Sequence, residues 1–128
     1  MAEFTDYLEN KIIDHMLRNQ AYTPPSTVYV ALFTSATDDT GGGTEVSGGS
    51  YARQAVTLSA ASGGASSNTA DITFPQATTD WGTITHIALM DAETGGNMLM
   101  HSPLDASKTV NNGDTFKINA GDLDVTVD

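Results

Sequence analysis

The sequence predicts a mainly β fold: an antiparallel, jelly-roll-like β-sandwich of about seven or eight strands, preceded by one N-terminal α-helix. Three observations predict it. An apolar period of helical type runs from Phe4 to Asn19 and stops before Pro24 and Pro25. Beyond the prolines the chain becomes short β-branched and aromatic runs separated by Gly, Asn, Asp and Ser clusters. Cysteine is absent, so packing and association must stabilise the chain without disulfides. A length of 128 residues suits one core and is too short for two well-packed ones, so 1–128 is read as a single domain, with the helix in 1–20 and the sandwich in 27–128.

The helix rests on spacing and on its ends. Phe4, Leu8, Ile12 and Met16 recur every fourth residue and stack on one face. Thr5 is the expected N-cap, Asp6 and Glu9 suit the positive end of the dipole, and Arg18 suits the last turn. Pro24 and Pro25 prevent continuation. Ile13 and Leu17 widen the apolar arc beyond what one packing surface uses, which predicts a helix touching two surfaces. No heptad is sustained, so a long coiled coil is not expected.

The expected strands are 27–34, 51–58, 69–74, 82–91, 97–104, 114–119 and 122–127, with an eighth near 108–110. In the first of them Val28, Val30 and Leu32 alternate with Tyr29, Ala31 and Phe33, so both faces should be covered, one of them by the helix. The last alternates Leu123, Val125 and Val127 inward with Asp124, Thr126 and Asp128 outward, the pattern of a half-exposed strand. Gly95-Gly96 is a hairpin signal, since both residues adopt positive φ at little steric cost. The glycine-rich stretch 35–50 has almost no apolar residues and reads as a long surface loop; 61–68 reads as a shorter one.

Charge and motifs exclude more than they assign. Sixteen acidic and five scattered basic residues give a net charge of -11, which disfavours nucleic acid as a partner. The acidic first helix has no apolar run long enough for a membrane span or a signal peptide, so synthesis in the cytoplasm and no membrane insertion are expected. Nucleophile elbows, Walker loops, dinucleotide fingerprints and helical zinc motifs are all missing. His86 and His101 fall in neighbouring strands, but with no cysteine and no carboxylate at ligand spacing they read as core or interface histidines. Asp38, Asp39 and Glu45 share a loop, and Asp122, Asp124 and Asp128 share the C-terminus. Without EF-hand spacing they read as solvated acidic surface rather than a calcium site. No cofactor, metal or catalytic residue is expected.

The order of blocks carries a resemblance. DYLENKIIDHML (6–17), YVALFTS (29–35), GGGTEVSGGSYARQ (41–54), ALMDAETGGNML (88–99) and NNGDTFKINAGDLDVTV (111–127) together resemble the small tailed-phage and prophage proteins labelled tail fibre or virion structural protein. The resemblance implies a non-enzymatic virion component whose partners are other virion proteins and further copies of itself. Without a long repetitive shaft, a compact tail-fibre, tail-tip or adaptor module is the expectation. The alternatives are a protein decorating the head shell and a host-glycan-binding module; no residue pattern supports a particular host receptor. Phe4, Leu8, Ile12, Ile13 and Leu17 are the candidate assembly interface, so aspartate at Leu8 and Ile12 is expected to abolish assembly. Glu45, Tyr51 and Trp81 are the candidate loop contacts, with the aromatic rings available to stack on sugars if exposed.

Overall fold

A computed structural model describes residues 3–127. In chain order the elements are β1 (Glu3–Phe4), α1 (Asp6–Leu17), β2 (Val28–Phe33), β3 (Gln54–Val56), β4 (Ala65–Ser67), β5 (Ile72–Thr73), β6 (Gly82–Met90), β7 (Met98–Val110), β8 (Lys117–Ile118) and β9 (Asp124–Thr126). All strand pairs are antiparallel. One layer is a five-stranded sheet in the order β1-β7-β6-β2-β3; the short ladders β4-β9 and β5-β8 form the other. The fold is therefore a sandwich with one helix, and it does not close into a barrel.

Strand alternation explains the core. Val30 and Leu32 of β2, Ile84 and Leu89 of β6, and Met100 and Val110 of β7 share one buried cluster with Ile72, Phe74, Phe116 and Leu123 from the opposite layer. Asn68, 3 % exposed, joins the ends of that second layer. Its amide donates to the carbonyls of Ala70 and Asn119 and its Oδ1 accepts from Leu123 N, so no polar atom of the side chain is left dry and unpaired.

The other face of the five-stranded sheet carries a smaller cluster of Ala31, Phe33, Ala88, Met90 and Met98. The cover here is the glycine-rich loop, where the sequence predicts the helix. Backbone bonds from Thr34 N to Thr44 O (2.9 Å) and from Val46 N to Leu32 O (3.0 Å) fold the loop back along the edge of β2. Gly43, at φ 112°, lies so close to the sheet that a Cβ there would stand 3.1 Å from Phe33 Cδ2 and 3.0 Å from Ala36 O. Only glycine supplies both that backbone angle and that approach. The loop orders itself around Asp38, whose Oδ1 accepts from Thr40 N, Thr40 Oγ1 and Gly42 N.

Several boundaries differ from those predicted by sequence. The helix is shorter by two residues at either end, and Phe4 belongs to β1, pairing with Met100. The expected strands near 97–104 and 108–110 are one continuous β7, and β4 forms inside the stretch read as a loop at 61–68. Its partner β9 supplies the apolar side chain, Val125, that β4's alanine and serines lack. The hairpin between β6 and β7 turns at Gly95 (φ 62°) and Gly96 (φ 71°) as expected. Beyond His101 no strand lies along the outer edge of β7 among the described residues. Pro103, Asp105 and Lys108 on that stretch oppose pairing with another chain.

Candidate assembly surface

Helix α1 is fastened by its first turn alone. A bulge in β7 makes the fastening: Leu89 pairs with Met100 and Met90 with Met98, which leaves Leu99 outside the register. The carbonyls exposed there are taken by Thr5, which donates its hydroxyl to Met98 O at 2.6 Å and its N–H to Leu99 O at 3.0 Å. The same hydroxyl oxygen accepts from Leu8 N at 3.4 Å, so Thr5 caps the helix as predicted while anchoring it to the sheet. Asp6 N donates to Asp39 O of the glycine-rich loop at 2.9 Å. Tyr7 and Leu8 pack against the main core, and Lys11 Nζ lies 5.7 Å from the Tyr7 ring centroid. Thr5→Ala removes the cap and takes the hydroxyl donor from Met98 O, while the backbone bond to Leu99 O stays, with an expected cost of about 1–2 kcal/mol. Urea denaturation followed at 222 nm reads it; an unchanged midpoint would remove Thr5 from the anchor.

Past that turn the helix leaves the body of the protein. Ile12 is 37 % exposed, Ile13 50 %, Met16 68 % and Leu17 79 %. Helical geometry sets these four side chains within an arc of roughly 140°. The exposed large hydrophobics of the described residues are these four and Val127, so the apolar exposure is concentrated on one helical face. The helix closes at Asn19 (φ 56°), with Arg18 N and Gln20 N both donating to Asp14 O and the Arg18 guanidinium 2.8 Å from the Asp14 carboxylate. The predicted interface residues thus divide. Phe4 and Leu8 are half-buried against the chain's own core; Ile12, Ile13 and Leu17 are left bare. Met16 joins them and was legible in the four-residue spacing.

Of the candidate loop contacts Trp81 is buried, and Glu45 and Tyr51 are half-buried. Trp81 donates Nε1–H to Gly49 O at 3.0 Å and meets Tyr51 edge-to-face at 5.5 Å. Tyr51 stacks on Phe74, accepts from Leu32 N at 3.0 Å and donates to Glu45 Oε2 at 2.6 Å. Its hydroxyl takes Leu32 N in the gap between the pairing with β3, which ends at Val30, and the loop's bridge from Glu45 to Phe33. Arg53 grips Glu45 with two bonds, 2.9 Å from Nε and 2.8 Å from Nη2. The third nitrogen, Nη1, donates to Ala92 O and Gly95 O of the hairpin. Burial pushes the Glu45 carboxyl up, but the Arg53 and Tyr51 donors outweigh it and hold it below the usual range. Burial and the bond to Glu45 drive the Tyr51 phenol well above its ordinary value. The half-buried Tyr51 ring is flanked by Phe74 and by the buried Trp81.

The acidic groups do not converge as the sequence grouped them. Asp38 is occupied by its own turn, Asp39 faces His101, and Glu45 holds Arg53. Asp122 and Asp124 are exposed, and Asp128 lies outside the described residues. His86 stands opposite Pro103, whereas His101 stands opposite Ala88 and Glu3, so the two histidines are not cross-strand partners.

A family model described as podophage GP4 fiber I protein gp80 matches residues 3–126. No curated protein matches the chain.

Proposed function

Because the chain belongs to the podophage GP4 fiber I protein gp80 family, a family of phage fibre structural proteins, we propose that it is a compact, non-enzymatic tail-tip or adaptor module of the fibre that assembles in symmetric copies. The bare stripe Ile12, Ile13, Met16 and Leu17 carries this reading. A helix held by one turn presents its other two turns to a neighbour without disturbing its own core. Burying the stripe against the same stripe of a second copy satisfies the self-complementarity of a two-fold contact. Each side chain so buried contributes on the order of 1 kcal/mol or more. Glycan binding lacks comparable support, since Trp81 is buried and Tyr51 is half-buried against the same core.

The test follows from how the predicted interface divides. Aspartate at Leu8 would damage the chain's own packing, so loss of assembly there would be ambiguous. Ile13→Asp with Leu17→Asp alters only exposed positions. Sedimentation should show self-association weakened by at least about tenfold while the urea midpoint stays near wild type. Purified particles should lack the variant. Wild-type association and incorporation would refute the reading.

A further inference from the structure

We propose that Glu3, Asp39 and His101 form a divalent-cation site suited to Zn²⁺, which clamps β1 and the glycine-rich loop onto β7. Three distant parts of the chain supply it. Glu3 and His101 are cross-strand partners and therefore project from the same face of the sheet. Asp39 descends onto that face from the loop, with Oδ1 2.9 Å from His101 Nε2, and Glu3 Oε2 is 4.0 Å from the same nitrogen. The three ligand atoms all lie within 4.8 Å of one another. Metal–ligand bonds of about 2.0–2.2 Å in a tetrahedron separate ligand atoms by roughly 3.4 Å. The observed separations bracket that value, so a small rotation of the two exposed carboxylates admits an ion.

The surroundings match a metal centre in three respects. His101 is only 7 % exposed and its Nδ1 lies 2.8 Å from Thr37 Oγ1, which fixes the ring and turns Nε2 toward the carboxylates, as an outer-shell partner does for a ligating histidine. The Asp39 and Glu3 side chains are 51 % and 65 % exposed, which leaves an entry route. Among the described residues both carboxylates face His101 and neither is paired with a lysine or arginine, so a bound cation would neutralise charge that no permanent cation opposes. The ligand set of one imidazole and two carboxylates favours Zn²⁺ over Ca²⁺, which takes six to eight oxygens, and over Mg²⁺, which seeks an octahedron of oxygens. Water fills the fourth position. With Asp6 N already bound to Asp39 O, the ion would reinforce the point from which α1 projects.

Calorimetric titration of the full chain with Zn²⁺ should show one saturable site, and Tm should rise by roughly 5–10 °C at a hundredfold excess over Kd. Ca²⁺ and Mg²⁺ should leave both readouts unchanged. Thr37→Val should weaken Zn²⁺ binding by about 10- to 100-fold. Glu3→Gln with Asp39→Asn, at exposed positions that preserve the fold, should abolish it. Absence of a saturable site in the wild type would overturn the proposal and leave the cluster a hydrogen-bonded lock. Equal affinity in the double variant would overturn it too, placing the ion elsewhere.

Discussion

Phe74→Ala should lower the free energy of unfolding by about 3–5 kcal/mol, the range for aromatic truncation in a core. Phe74 is 1 % exposed and stands between the layers. It stacks on Tyr51 at 6.2 Å with planes 8° apart and meets Phe116 edge-to-face at 5.7 Å. The size of the effect depends on whether neighbours can fill the space left behind. Tyr51 cannot swing in without surrendering its bonds to Leu32 N and Glu45, and Trp81 is held by Gly49 O. The adjoining ladder β5-β8 consists of two residue pairs, Ile72 with Ile118 and Thr73 with Lys117, too few to stand without packing. Urea denaturation monitored by Trp81 fluorescence gives the loss as a shift in midpoint at constant slope. A loss below about 1 kcal/mol would mean that the layers close over the cavity.

Local pattern and long-range pairing account for different parts of this structure. The N-cap at Thr5, the Gly95-Gly96 turn and the alternation in β2 are encoded within a few residues and appear where the sequence predicts them. Phe4 continues the helical spacing, yet it lies in a strand because Met100, far along the chain, offers a ladder partner. β4 is Ala-Ser-Ser, with no strand pattern of its own, and exists through its pairing to β9. The loop at 35–50 has almost no apolar residues apart from Val46 and still covers a sheet face, because glycine backbone can lie flat on Phe33. The same division holds for the candidate sites. An apolar arc too wide for one surface is visible in Ile12, Ile13, Met16 and Leu17, since their relation is a few residues long. The meeting of Glu3, Asp39 and His101 has no signature in spacing; the carboxylates reach the histidine through a cross-strand pair and a folded loop.

Arg53→Met should destabilise the fold by about 3 kcal/mol at neutral pH, within the range for removing one partner of a buried pair and reduced because the Glu45 side chain is 25 % exposed. The variant loses both bonds to Glu45 and those to Ala92 O and Gly95 O, so the loop, β3 and the hairpin are no longer held together by one side chain. The sign of the pH dependence follows from the depressed carboxyl of Glu45. A folded-state pKa below the unfolded value contributes stability above the usual carboxylate range, and that contribution is lost as pH falls through the folded pKa. With Arg53 gone, burial is opposed by Tyr51 alone and the Glu45 pKa rises. The stability gap between wild type and Arg53→Met should therefore narrow as pH falls through the acid range, because a protonated Glu45 no longer needs the cation. At the alkaline end the raised phenol of Tyr51 acts in the opposite sense. Its contribution is whole below a pH of about 10 and declines above it, as the unfolded chain ionises first. Urea midpoints of both proteins across this range test the account. A gap that does not change with pH would mean that Arg53 acts through its carbonyl bonds to the hairpin and not through the Glu45 carboxylate.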